Sequence, residues 1–161
     1  METTFAGRIA EIDRFLDEYN QKLHLDKVKV VDCELDLPRD KLFSMSLDQL
    51  DGYRWELAQY VLGLQKELNR QTARMHWAEQ NLKRYSEKEC SNYDGYLWQE
   101  RLANVLANDS YAAKLDDFRQ KCKLIYDETG FLIGRIEFMA KIAGDIAFAK
   151  RKHHFEKEQN G

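Results

Sequence analysis

The chain reads as an all-α protein: an oligomeric long-helix bundle with coiled-coil-like seams, preceded by a short N-terminal arm of helix and strand. Three observations predict this. One proline and eight glycines in 161 residues signpost few turns. Two long segments carry apolar residues alternately three and four apart, the spacing that keeps one helix seam against partners. The second of these segments is apolar beyond its seam, so it must be covered on more than one side.

That second segment runs from Asp109 to about Lys152. Its seam is Tyr111, Leu115, Phe118, Cys122, Ile125, Thr129, Leu132, Ile136, Met139, Ala143 and Ile146, and only Thr129 is clearly polar. Phe131, Ile133, Phe138, Ile142 and Phe148 lie off the seam. One chain of this size offers few helices to cover both faces. The segment is therefore read as the core of an oligomer, with Phe118, Ile125, Gly130, Leu132, Gly134, Ile136 and Met139 at the contact. The central helix of a monomeric bundle is the competing reading. A membrane span is excluded, because Arg135, Glu137, Lys141 and Asp145 would place charges in mid-bilayer. Gly130 and Gly134, one turn apart, let helix backbones approach closely; the alternative is a helix that ends at Gly130 and restarts.

The other elements follow in chain order. Phe5, Ile9, Ile12, Leu16, Tyr19 and Leu23 predict an amphipathic first helix. Val31, Cys33, Leu35 and Leu37 then alternate with Asp32, Glu34 and Asp36, the period of a half-buried strand that Pro38 ends. Ser46, with Gln49 three residues on, predicts a capping box that opens a long helix. Its seam runs Leu47, Leu50, Leu57, Val61, Leu64, Leu68, Met75, Ala78, Leu82 and Tyr85, broken in register by Arg54 and Gln71. Turn formers gather over 91–95. A shorter helix spans Tyr96 to about Ala107, and Asn108-Asp109 supply a break and the N-cap of the last helix. The organisation is an arm (1–45), a long-helix bundle domain (46–152) and a tail (153–161).

Composition narrows the chemistry. A charged fraction of 33% and a mean hydropathy of −0.68 predict a soluble protein. Cys33, Cys90 and Cys122 form an odd set without a CxxC pair, which fits a reducing compartment. The first residues lack a basic region followed by an apolar run, so no signal peptide is read and a cytoplasmic location is expected. No phosphate-binding loop, dinucleotide fingerprint, HExxH or GxSxG is present, so no catalytic residue, metal site or cofactor is expected. His76 with Glu79 reads as solvated surface; His153 and His154 adjoin a basic end and a tail, with metal binding there only a minor alternative. Asp116, Asp117, Asp127 and Glu128 avoid the seam and are expected to face solvent.

Net charge is −3, unevenly spread: residues 1–60 carry 8 Lys/Arg against 13 Asp/Glu, and residues 61–161 carry 17 against 15. One basic constellation stands out. Arg70, Arg74, Trp77, Asn81, Arg84 and Lys88 step by four and three along one flank of the first long helix. Cations spread over about 27 Å with an indole among them suit a phosphate backbone and a stacked base. The candidate nucleic-acid-binding residues are Arg70, Arg74, Trp77, Arg84 and Lys88. A solvated flank, with Trp77 covering a neighbouring helix, is the competing reading. A second cluster, Lys150 to His154, closes the last helix, where cations suit the helix dipole.

The order of parts resembles the UvsY-type recombination mediators of tailed phages. The resemblance lies in a basic middle helix (LAQYVLGLQKELNRQTARMHWAEQNLKRY), a turn-rich linker, and a last helix that starts after an Asp-rich break and ends in a basic cluster. It covers about residues 50–155 and rests on pattern. It implies an all-helical ring-like homo-oligomer in the cytoplasm of an infected bacterium, binding single-stranded DNA. Such mediators help load a RecA-like recombinase onto strands covered by single-strand-binding protein. The acidic arm departs from a DNA-binding pattern. The expected function is thus that of a non-enzymatic recombination or replication accessory; the alternative is a structural coiled-coil assembly or protein adaptor without nucleic-acid binding.

Overall fold

The computed structural model describes residues 4–23, 33–35, 37–95 and 97–159, and every regular element among them is helical. These are α1 (Phe5–Lys22), α2 (Arg39–Ser44), α3 (Leu47–Glu89), a 3-10 turn (Cys90–Asn92), α4 (Trp98–Asn108) and α5 (Ser110–Gln159).

Local signals fix the starts. The Ser46 amide donates to Gln49 Oε1 and the Gln49 amide to Ser46 Oγ, the expected reciprocal capping box. Asp109 closes α4 through its amide, bonded to the Val105 carbonyl, and opens α5 with its carboxylate, which accepts from the Tyr111 and Ala112 amides. Between α3 and α4, Gly95 has a φ of +153°, a conformation that resists a side chain. A Cβ there would lie 3.0 Å from Arg101 Cγ.

By contacts the chain divides into two compact units. The first takes residues 1–19 and 68–128, and its core is Leu82, Cys90, Val105, Ala112 and Leu115. The second takes residues 20–67 and 129–161; its core joins Leu42, Leu50, Tyr53 and Leu57 to Ile136, Ala143, Ile146 and Ala147. The segment assigned to a tail is helical through Gln159, so Lys150–His154 lie inside α5 rather than at its end. Lys150 Nζ donates to the Phe43 carbonyl at 2.7 Å and to that of Met45, holding the end of α2, and Arg151 pairs with Asp51.

The expected strand is corrected. Cys33, Glu34, Leu35 and Leu37 form no strand, while Val31, Asp32 and Asp36 lie outside the described residues. The alternation itself is real, since Cys33 and Leu37 are buried and Glu34 is exposed. The backbone, however, is held by a side chain: Tyr53 Oη donates to the Glu34 carbonyl at 3.0 Å.

Gly130 ends nothing; α5 runs unbroken through it. All three cysteines are buried, and no disulfide joins them. Burial pushes the Cys122 thiol up in pKa. Among the described residues no helix is long and apolar enough to cross a membrane.

Candidate nucleic-acid interface

The predicted stripe lies on the part of α3 that belongs to the first unit, and α1 covers its upper half. Arg74 grips Asp13 with both arms of its guanidinium, Nε to Oδ1 at 2.9 Å and Nη2 to Oδ2 at 2.5 Å. One turn earlier, Arg70 Nη2 donates to Asp17 Oδ1 at 2.7 Å. The pairs run in opposite chain order, 13 with 74 and 17 with 70, so α1 lies antiparallel to this stretch of α3. The Arg74–Asp13 pair is largely withdrawn from water, at 22% and 24% exposure, whereas Asp17 is 56% exposed.

Trp77 is half-buried in an aromatic cluster. The Phe5 ring meets it edge-on at 5.5 Å and Phe118 at 6.3 Å, and Phe5 also contacts Tyr111. Asn81 donates back to the Trp77 carbonyl. Arg84 and Lys88 are exposed and form no ion pair among the described residues. The stripe is therefore one row of cations in two conditions: neutralised by α1 at Arg70 and Arg74, open at Arg84 and Lys88.

Asp13 and Asp17 belong to the site although the sequence pattern did not single them out. A signal for them exists: two aspartates one turn apart beside the first-helix seam, matching two arginines one turn apart on α3.

The residues expected at an oligomer contact separate into two groups. Phe118 packs within the aromatic cluster, and Leu132, Ile136 and Met139 pack in the core of the second unit. Ile125, Gly130 and Gly134 point outward, and a Cβ on Gly134 would meet nothing within 4 Å. Beside them the off-seam aromatics stand open, Phe131 at 68% and Phe138 at 62% exposure, with Leu124 one heptad before. An apolar groove of about 820 Å³ runs along this face, lined by Leu35, Leu57, Gly130, Phe131, Gly134 and Phe138. Trp55 and Leu62, seven apart on α3, are also exposed.

No three acidic, His or Cys side chains among the described residues gather as a metal site. His76, His153 and His154 are exposed. Asp116 corrects the expectation of a solvent-facing carboxylate: it is half-buried, accepting from Arg119 and Gln120.

The chain matches no protein-family model, no curated protein and no solved structure.

Proposed function

We propose that this chain is a non-enzymatic, self-assembling accessory protein that binds single-stranded DNA, and that it acts in recombination as the UvsY-type mediators it resembles do. The observation that carries the reading is the cationic row on α3. Two of its guanidiniums already hold oxyanions, its lower half is open to a strand, and the whole spans about 27 Å. Assembly is supported by the open aromatic face of α5. The second unit has two long helix segments, and each leaves large apolar side chains in water. A second copy of the chain is the occupant proposed for that face, because a seven-residue repeat of large apolar residues suits a partner helix. A ring or cluster built this way multiplies weak strand contacts. Its place is to help load a RecA-like recombinase on strands that single-strand-binding protein covers.

A structural assembly or adaptor without nucleic acid is the second reading, favoured by the same α5 face and by the ion pairs that occupy half the stripe. Anisotropy of a labelled thirty-residue oligothymidylate separates the two. Wild type should bind at low salt. The double variant Arg84→Ala/Lys88→Ala should bind more weakly, its salt slope smaller by about 0.7 for each phosphate it no longer neutralises. A wild-type chain that binds no oligonucleotide at low salt hands the function to the adaptor reading.

A further inference from the structure

We infer that α1 is a built-in occupant of the strand-binding site, and that single-stranded nucleic acid binds by displacing it. The inference rests on the DNA-binding reading above and deepens it. Each half of a nucleotide has a counterpart in α1. The carboxylates of Asp13 and Asp17 sit where phosphates would meet Arg74 and Arg70, one helical turn apart. The Phe5 ring lies against Trp77, the indole on which a base would stack.

The hold on α1 is one that a strand can compete with. No residue of α1 is fully buried, and its Phe15 and Tyr19 rings are in water. Besides the half-buried Ile9, Ile12 and Leu16 of its apolar face, it is attached on this side by an edge-on aromatic cluster and two ion pairs. The Arg70–Asp17 pair, its carboxylate 56% exposed, is the weaker of the two. A strand offers the same arginines a continuous row of phosphates and reaches Arg84 and Lys88 as well, which α1 leaves uncovered. The acidic N-terminal region then has a purpose in a DNA-binding protein: it keeps the site closed to isolated small anions and opens it to a polyanion long enough to take the whole row.

The test uses the full chain and a labelled thirty-residue oligothymidylate. Asp13→Asn/Asp17→Asn removes the competing charge, and Phe5→Ala loosens α1 without touching a charge. Both should bind on the order of tenfold more tightly than wild type, with helix content unchanged by circular dichroism. Adding Arg70→Ala/Arg74→Ala to the asparagine variant should abolish the gain. Amide exchange over residues 5–22 should speed up when wild type binds the strand. If wild type binds and both variants match it, or if binding protects the α1 amides, α1 is a structural helix and the inference falls while the DNA-binding reading stands. If wild type binds no strand at low salt, both fall together.

Discussion

Asp109 is the residue on which the first unit's geometry turns. Its carboxylate accepts the amides of Tyr111 and Ala112 at 2.8 Å each and the Tyr85 hydroxyl at 2.7 Å. It therefore caps α5 and ties that helix to α3. The Ala112 amide, then the Tyr85 hydroxyl, hold its carboxyl below the usual aspartate range, while bonding to Asp109 pushes Tyr85 up to about 12. For Asp109 the folded pKa is depressed. Its contribution is full above the ordinary aspartate value and is lost as pH falls through the lower, folded one. For Tyr85 the neutral form is favoured, so its contribution is lost as pH rises from 10.0 to about 12. Asp109→Ala should cost about 1–3 kcal/mol in urea unfolding at neutral pH, through the missing cap and an unpartnered hydroxyl. Asp109→Asn keeps an acceptor and should cost less. Equal losses from both would show that the charge, not the acceptor, matters.

At the scale of the element, α5 presents two apolar faces in different surroundings. Ile136 belongs to the core of the second unit, whereas Phe131 and Phe138 face outward. The double variant Phe131→Asp/Phe138→Asp should keep its helix content and become monomeric by light scattering. Ile136→Asp should instead unfold the second unit, because a buried unpaired carboxylate costs several kcal/mol. Gly134→Leu probes the same outer face: a Cβ there meets nothing within 4 Å, so it should leave monomer stability nearly intact and weaken association. A wild-type chain that is monomeric at micromolar concentration would end the self-assembly reading. The sequence disclosed the helices well because their signals are local: Ser46 and Gln49 are three apart, and Asp109 caps the amides of the next turn. It disclosed less where the partner is distant. The alternation marks Cys33 and Leu37 for burial, and it says nothing of whether the backbone bonds to a strand or to Tyr53. Likewise the destination of α1 depends on Asp13 meeting Arg74, 61 residues on, and only a matched four-residue period marked it. The seam of α5 was legible as a period, but a period cannot say whether the helix covering it comes from the same chain.

For the whole molecule, assembly and strand binding are proposed as separable properties that amplify one another. The stripe lies on the first unit and the open aromatic face on the second, so a change in one need not disturb the other. A single chain offers four cations over about 27 Å, enough for a short strand. Joining several chains converts each further contact into an intramolecular one, and avidity then exceeds single-site affinity by roughly 10²–10⁴. The expected outcome is a length-dependent defect. Against an oligothymidylate of about eight residues, too short to bridge subunits, Phe131→Asp/Phe138→Asp should bind like wild type. Against one of about sixty residues it should lose most of the avidity factor, while Arg84→Ala/Lys88→Ala should weaken both lengths. Titrations of the two strands at one salt concentration read this directly. If the aromatic double variant, confirmed monomeric, binds the long strand as tightly as wild type, then strand affinity resides in the single chain and the assembled form serves another purpose.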